Sequence, residues 1–338
     1  MTLDNLIIRL DAGERFGLGH LSRCISLVHG FECNSNCFLV KTDNRHLIET
    51  FLKDNIHIAY ELIILDLETS FNEEIEFIVR FYSSSSLLIV DHYNATADYQ
   101  KQLLSRGIKW LQLDSHAKVG FYANWVLHGS PGANSALYEP LRKNPQTSFL
   151  LGPKYCIIKE QLLVNYNHRK VREELKKVLI CFGGGNDKGA TLECLKRLDF
   201  KELPNVEFNV VIGSFNQDYE DIRIFENKGL IKIVEPNMLL HMMIESDLAL
   251  IAPGMMSYEA AFLGLPMLLV TIADNQIINA KSWEEKGCAI NIGGISEIKA
   301  NINTHIMSCI NSLRIMSQNC LTLVDGNGVK RIVNEIKK

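Results

Sequence analysis

The chain has 338 residues, of which 47% are hydrophobic and 22% charged, and its formal net charge is -4. This length predicts two domains of about 150 residues each, and the composition is typical of a soluble globular protein with a sizeable core. A slightly acidic chain lacks the basic footprint of a nucleic-acid binder, so no nucleic-acid partner is expected.

The cysteines and the apolar segments bear on compartment and on metal binding. None of the nine cysteines forms a C-x-x-C pair, which favours reduced cytosolic thiols over a disulfide framework or a zinc site. The N-terminus has no basic region of the kind that opens a signal peptide. Residues 251–273 are apolar but interrupted by proline and glycine, so they predict a buried helix and a buried strand rather than a membrane span. A cytoplasmic protein without a membrane partner is expected.

The first predicted elements form a strand, a glycine loop and a helix. Residues 6–10 are an apolar run typical of a buried strand, Gly17 and Gly19 lie in the loop, and helical spacing follows. Such a junction presents backbone N–H groups at a helix N-terminus, where anions are favoured. His20 stands where this helix starts, and an imidazole there can act as a base near neutral pH. Alternatively, His20 is an ordinary surface residue beside a common type of turn.

The first half continues as alternating strands and helices. Helices are predicted at residues 72–82 and 98–106, and residues 119–146, rich in glycine and proline, are interpreted as an irregular connection near a domain boundary. A polar helix is then predicted over residues 160–177. The predicted strands are residues 37–40, 62–65, 87–90 and 110–113.

The second half repeats the pattern of strand, glycine loop and helix, with the helix at residues 189–198. Strands are predicted at residues 178–182, 208–212, 231–234, 248–251, 267–270 and 288–291. The sequence therefore predicts an α/β, GT-B-like protein with two Rossmann-like domains whose parallel sheets face each other across a cleft. The expected domains are residues 1–150 and 151–338, with the last helix able to pack back on the first domain.

Polar side chains follow two strands of the first half. Ligands collect outside the carboxyl ends of parallel strands, so Asp91 and Tyr93 lie where a site is expected. Tyr93 has an apolar face and a hydroxyl group, which suit substrate contact, whereas Asp91 alternatively only caps the next turn. Asp114 and His116 end another strand, but with Ser115 between them they are too close in sequence to form a hydrolytic triad.

Two loops of the second half suit a nucleotide. Gly184 and Gly185 lie in a loop that can approach a diphosphate through backbone N–H groups, or that is merely a mobile turn. Gly254 and Ser257 precede Glu259 at a predicted helix start, where a carboxylate can accept ribose hydroxyls while N–H groups face phosphate. Alternatively, Glu259 is an ordinary acidic residue of a helix start.

Together these segments resemble a known family, the nucleotide-sugar hydrolases of the pseudaminic acid pathway, which remove UDP from UDP-2,4-diacetamido-2,4,6-trideoxy-β-L-altropyranose. That family is similar to the MurG-type glycosyltransferases of GT-B fold. The matching motifs are Arg9-x-Asp11-Ala12, Gly17-x-Gly19-His20-x-x-Arg23, Val90-Asp91-His92-Tyr93, Leu151-Gly152-Pro153-Lys154-Tyr155, Cys181-Phe182-Gly183-Gly184, Ser257-x-Glu259, Leu263-Gly264-Leu265-Pro266, Asp274-Asn275-Gln276 and Asp325-Gly326-x-Gly328-x-x-Arg331.

The resemblance implies a role for each candidate residue. His20 corresponds to the base that activates water, Tyr93 to an aromatic residue beside the sugar, and Glu259 to the acid that holds the ribose. It further implies that no metal and no cofactor are required. The candidate substrate-binding residues are Asp11, Gly17, Gly19, Arg23, Asp91, Gly184, Gly185, Gly254, Ser257, Glu259, Asn275 and Gln276.

Two departures from the family pattern concern the sugar. Lys159 stands where the family has an arginine, and a lysine lacks the planar fork that makes bidentate contacts. Met255 and Met256 replace small polar residues, which indicates a changed pocket wall.

The sequence thus predicts a monomeric or weakly dimeric hydrolase of a UDP-linked bacterial amino sugar, acting by direct water attack with inversion at C1. Two alternatives stay open. A glycosyltransferase would use the same nucleotide site with a hydroxyl acceptor, and a nucleotide-sugar-binding protein would show no turnover.

Overall fold

A computed structural model describes residues 3–164, 166–183, 187–298 and 302–338. The chain divides into two compact units, one formed by Met1–Glu160 with Asn327–Lys338 and the other by Gln161–Gly326. The first unit therefore extends beyond residue 150 and includes the C-terminal segment.

The first unit is built on a parallel sheet of seven strands in the order β3-β2-β1-β4-β5-β6-β7. Every residue of β4 is buried, as is nearly all of β1, because helices cover both faces of such a sheet. The strands are β1 (Asn5–Asp11), β2 (Ser35–Lys41), β3 (Glu61–Leu65), β4 (Ser86–Asp91), β5 (Trp110–Leu113), β6 (Trp125–His128) and β7 (Ser148–Leu151).

Side-chain caps set where several helices of this unit begin. Asn44 and Thr96 each accept a hydrogen bond from the first turn of their helices, and Ser70 forms a capping box with Glu73. The C-terminal helix α13 belongs to this unit, since Val329 and its neighbours share a core with α1. The helices are α1 (Gly19–Phe31), α2 (Arg45–Asn55), α3 (Phe71–Phe81), α4 (Ala97–Ser105), α5 (Ser135–Tyr138) and α13 (Gly328–Lys337).

The second unit contains a parallel sheet of six strands in the order β10-β9-β8-β11-β12-β13. Its strands are β8 (Lys177–Cys181), β9 (Glu207–Val211), β10 (Lys232–Val234), β11 (Leu248–Ile251), β12 (Met267–Thr271) and β13 (Ala289–Gly294). Its helices are α7 (Ala190–Arg197), α8 (Tyr219–Asn227), α9 (Leu239–Glu245), α10 (Met255–Phe262), α11 (Ile277–Glu285) and α12 (Ile302–Leu323), and the short α6 (Glu160–Leu163) begins at the junction of the two units.

Two predictions about secondary structure are wrong. Residues 119–146 are not wholly irregular, because they contain β6 and α5. Within residues 160–164 and 166–177, the described part of this range, helical structure is limited to α6 and one 3-10 turn, because tertiary contacts hold the rest. Arg172 is buried and donates to the backbone carbonyls of Ser246 and Leu263, so this segment satisfies carbonyls at helix ends instead of forming a helix.

The predicted fold class is confirmed as two Rossmann-like domains with parallel sheets. In each sheet the strand order reverses at one point, between β1 and β4 and between β8 and β11, and ligands of such folds bind outside the carboxyl ends at these points. The predicted buried helix and strand within residues 251–273 are α10 and β12. Among the described residues, no helix has both the length and the apolar character needed to cross a bilayer.

Candidate active site

The loop after β1 is closed on itself and held by an internal carboxylate. Gly13 and Gly17 exchange backbone hydrogen bonds, and Asp43 accepts from the backbone N–H groups of Glu14 and Arg15, both at 2.9 Å. A Cβ at Gly13 would lie 2.0 Å from Asp43 Oδ1, so only glycine fits there. Because Asp43 occupies these two amides, they are not available to a ligand phosphate.

The loop delivers His20 to the first turn of α1, where it meets the end of β4. His20 is 7% exposed, and its Nδ1 lies 2.8 Å from Asp91 Oδ1. Arg23 donates through Nε to Asp91 Oδ2 at 2.6 Å and through Nη2 to Oδ1. Asp91 therefore binds side chains of α1, while Thr96 caps the next helix, and His20 is buried rather than at the surface.

The charges of this cluster balance each other. Burial alone would raise the pKa of Asp91, but Arg23 and then His20 outweigh it and hold that pKa well below its usual range. Burial likewise opposes the charge of Arg23, and Asp91 keeps its pKa above the usual value. Arg23 Nη2 also lies 3.2 Å from His20 Nδ1. Because a carboxylate only accepts, the tautomer that pairs with Asp91 carries its proton on Nδ1, and Nε2 is then the nitrogen able to accept a proton.

Tyr93 lies beside this cluster and is 59% exposed. Its ring is 5.0 Å from the His20 ring at 88°, and 5.1 Å from the His116 ring at 77°. His116 is thus a site residue that the sequence analysis noted only in a rejected triad. The signal that points to it is its position three residues beyond β5, the strand next to β4.

A second group of buried charged residues adjoins this cluster through His92, which feels the charges of both Asp91 and Arg9. Asp11 is 5% exposed and accepts from Arg9 at 2.6 Å, and Arg9 also donates to Glu74 at 2.7 Å. His92 Nε2 is 3.8 Å from Glu74 Oε1, and burial, reinforced by Arg9, holds the pKa of His92 well below its usual value. Asp11 therefore carries an internal ion pair, and sequence reasoning missed Glu74 because it is 65 positions away from Arg9.

In the second unit, α10 begins directly after Gly254, and no side chain within the described ranges caps its first turn. Ser257 is fully buried and donates through its hydroxyl to the Gly254 carbonyl at 2.6 Å, which closes that turn. Glu259 lies on the same helix and is 3% exposed. The Ser257 amide also donates to the Gly254 carbonyl, at 3.1 Å, and the start of α10 lies at the carboxyl edge of the sheet because α10 follows β11.

The loops after β11 and β12 are tied together. Gln276 accepts from the Ile272 amide at 2.9 Å, and its Nε2 lies 4.0 Å from the position that a Cβ on Gly254 would take. Asn279, which sequence reasoning missed, donates to the Pro253 carbonyl at 2.6 Å. Asn275 is exposed at the same edge.

A cavity of about 790 Å³ opens at the ends of β12 and β13. Its lining includes Lys188, Asp274, Ile277 and Glu297. Asn275 and Gln276 lie in the sequence between the lining residues Asp274 and Ile277. Lys188 donates to the backbone carbonyl of Ile272 at 2.8 Å.

The predicted site residues form two groups. The first unit brings together His20, Arg23, Asp91 and Tyr93, with Gly17 in the preceding loop. Gly19 is the first residue of α1 and not part of the loop as predicted. The second unit brings together Gly254, Ser257, Glu259, Asn275 and Gln276. Gly184 and Gly185 lie outside the described residues. Across the described ranges, no three His, Cys, Asp or Glu side chains form a group that could hold a metal ion.

These two sheets and their strand orders define a GT-B-like fold. The structure resembles that of MurG from Acinetobacter baumannii, with a TM-score of 0.66 and 16% identity over 98% of this chain and 99% of MurG, a likeness that shows the fold. No model of a known protein family matches the chain.

Two curated relatives add sequence similarity. The chain is 26% identical to the spore coat polysaccharide biosynthesis protein SpsG of Bacillus subtilis, over 95% of this chain and 94% of SpsG. It is 25% identical to a Helicobacter pylori protein named as pseudaminic acid cytidylyltransferase and UDP-2,4-diacetamido-2,4,6-trideoxy-β-L-altropyranose hydrolase. That match covers 80% of this chain and 45% of the relative, so the chain corresponds to about half of that protein.

Proposed function

We propose that this protein is a hydrolase that removes UDP from a UDP-2,4-diacetamido-2,4,6-trideoxyhexose in the biosynthesis of a nonulosonic acid such as pseudaminic acid. The observation that carries the proposal is the pairing of His20 Nδ1 with the buried carboxylate of Asp91 at 2.8 Å. The names of the Helicobacter pylori and Bacillus subtilis relatives support a role in sugar biosynthesis.

His20 acts as the general base in the proposed reaction. Its Nε2 takes a proton from water, and the water oxygen forms a bond to C1 of the sugar. The bond between C1 and the diphosphate oxygen breaks, and its electron pair leaves with UDP. Attack from the face opposite the leaving group inverts C1. Asp91 stabilises the imidazolium that forms, as a carboxylate does for other catalytic histidines.

The second unit binds the nucleotide in this proposal. The uncapped first turn of α10 directs amides and the positive end of the helix dipole at the diphosphate, and Glu259 accepts the ribose hydroxyls. Asn275 and Gln276, at the end of β12, complete the proposed substrate contacts among the described residues. Gly184 and Gly185 lie outside the described residues and stay candidates for the diphosphate on sequence grounds alone. UDP is a stable anion once released, so the reaction needs no strong general acid.

A glycosyltransferase is the second candidate, because the fold is also that of MurG. The test is to incubate the protein with a panel of UDP-2,4-diacetamido sugars of different configuration, without any acceptor. We expect one UDP and one free sugar per turnover, with the inverted anomer seen first by NMR. Release of UDP only after an acceptor is added would make the protein a transferase, and binding without release would make it a binding protein.

A further inference from the structure

His116 lies in the described part of the first unit, at the carboxyl edge of the sheet, and the proposed reaction leaves it without a role. It follows β5, whereas Asp91 ends the adjacent strand β4. Its ring contacts Tyr93, whose ring also contacts His20. Both imidazoles therefore flank the same exposed aromatic ring, with centroids 5.0 and 5.1 Å from that of Tyr93.

The turn that carries His116 is rigid. Asp114 Oδ2 accepts from the backbone N–H groups of His116 at 3.1 Å and of Ala117 at 2.7 Å, and from the Tyr138 hydroxyl at 2.6 Å. Ala117 adopts a left-handed conformation, with φ of 50°, which is costly for a residue other than glycine. The hydrogen bonds to Asp114 offset that cost and hold His116 toward Tyr93.

The orientation and charge of the His116 ring are also set locally. Ser115 Oγ lies 3.0 Å from His116 Nδ1, which leaves Nε2 for a ligand. Burial lowers the pKa of His116, Asp114 opposes this shift, and Lys118, Arg23 and His20 add to it. A neutral imidazole suits a hydroxyl or amide group better than a diphosphate, because it offers no positive charge.

We propose that His116 binds the sugar of the UDP-sugar, contacting a neutral hydroxyl or acetamido group while Tyr93 supports the ring. This inference rests on the proposed function for the identity of the ligand, and it assigns His116 to substrate selection rather than to proton transfer. Removal of the His116 side chain should therefore weaken binding of the UDP-sugar and leave binding of UDP unchanged.

The test measures affinity by calorimetry in a His20→Ala background, so that the substrate is not consumed. The ligands are UDP and UDP-2,4-diacetamido-2,4,6-trideoxy-β-L-altropyranose. We expect His116→Ala and His116→Phe to lower the affinity for the UDP-sugar about tenfold, as loss of one hydrogen bond does. The affinity for UDP should change less than twofold. His116→Gln retains a polar group, so its affinity for the UDP-sugar should stay within about threefold of that of the His20→Ala background.

The matched control is His57→Ala, which removes an exposed histidine of the same unit and should change neither affinity. Unchanged affinity for the UDP-sugar in both His116→Ala and His116→Phe would overturn the inference, as would an equal loss for UDP and UDP-sugar. Melting curves show whether each variant is folded, and His116→Phe keeps the ring volume where His116→Ala does not. If the wild type released no UDP while these affinity differences held, the hydrolase proposal would fail and the sugar contact would stand.

Discussion

The carboxyl edges of the two sheets carry different kinds of polar groups. In the first unit this edge holds buried and paired charges, with Asp91 bound to Arg23 and His20, and Arg9 bound to Asp11 and Glu74. In the second unit it holds an uncapped helix start after a glycine and side-chain amides such as Gln276, while its charged residues, among them Lys188 and Asp274, line an open cavity.

This difference suggests that the first unit carries the catalytic step and the second unit binds the nucleotide. Paired charges fix the protonation of a histidine, which a base requires, whereas backbone amides bind an anion without any titrating group. The comparison therefore predicts that changes in the first unit act mainly on turnover and changes in the second unit mainly on nucleotide affinity.

The largest effect is expected for His20→Ala. Loss of the proposed base should lower kcat about 10³-fold while UDP affinity stays within twofold, because the proposed nucleotide contacts lie in the second unit. UDP release and UDP calorimetry check the two halves of this statement. His46→Ala, an exposed histidine of α2, is the control, and a His20→Ala protein with wild-type kcat would end the assignment of the base.

Asp91→Asn comes next, because it removes the charge that orients His20. We expect kcat to fall about 10²-fold, and the free energy of unfolding to fall by about 3 kcal/mol because Arg23 loses its buried partner. Urea titration and UDP release provide the two measurements. Asp54→Asn changes an exposed carboxylate of the same unit, and an effect no larger than in that control would contradict the role given to Asp91.

Glu259→Gln should show the opposite pattern. We expect UDP affinity to fall about tenfold and kcat to stay within about twofold, since a charged hydrogen bond to the ribose is lost. Glu285→Gln, an exposed change in α11, serves as the control. A large loss of kcat without loss of UDP affinity would show that the two edges do not divide their roles in this way.

The smallest expected effect concerns how the free energy of unfolding depends on pH. Burial lowers the pKa of His128 to about 4, with Asp114 opposing and Arg23 and His116 adding to the shift. An unfolded histidine has a pKa of about 6.5, so between these values the unfolded chain binds a proton that the folded chain does not, and stability falls as pH falls.

His128→Gln should flatten the decline in unfolding free energy between about pH 6.5 and 4, measured by urea titration at several pH values. His241→Gln, an exposed histidine of the second unit, should leave the decline unchanged. Equal slopes in the wild type and His128→Gln would show that this half-buried histidine does not titrate as the structure implies.

Much of the fold follows from the sequence because parallel strands are short, buried and apolar. β5 and β11 match their predicted ranges, since Trp110 and Leu248 begin uniform buried runs. β6, although as long as β5 and β11, is missed because it lies among glycine and proline. The helix predicted beyond Glu160 fails because Arg172 finds backbone carbonyls elsewhere in the fold.

The site was partly predictable for a similar reason. His20 and Asp91 are identified by their positions at a helix start and a strand end, which local patterns show. Their pairing depends on β1 lying next to β4, and no periodicity reports strand order. The roles of Glu74 and His116 depend on the same missing information, because their partners are distant in the chain.

The central claim is that water attacks C1 of the sugar. Turnover of a UDP-2,4-diacetamido sugar in ¹⁸O-labelled water, followed at once by mass spectrometry of both products, tests it directly. We predict that the label appears in the free sugar and that UDP carries none, with a sugar-only incubation correcting for exchange at the anomeric position. Label in the UDP would show attack at phosphorus and contradict the account.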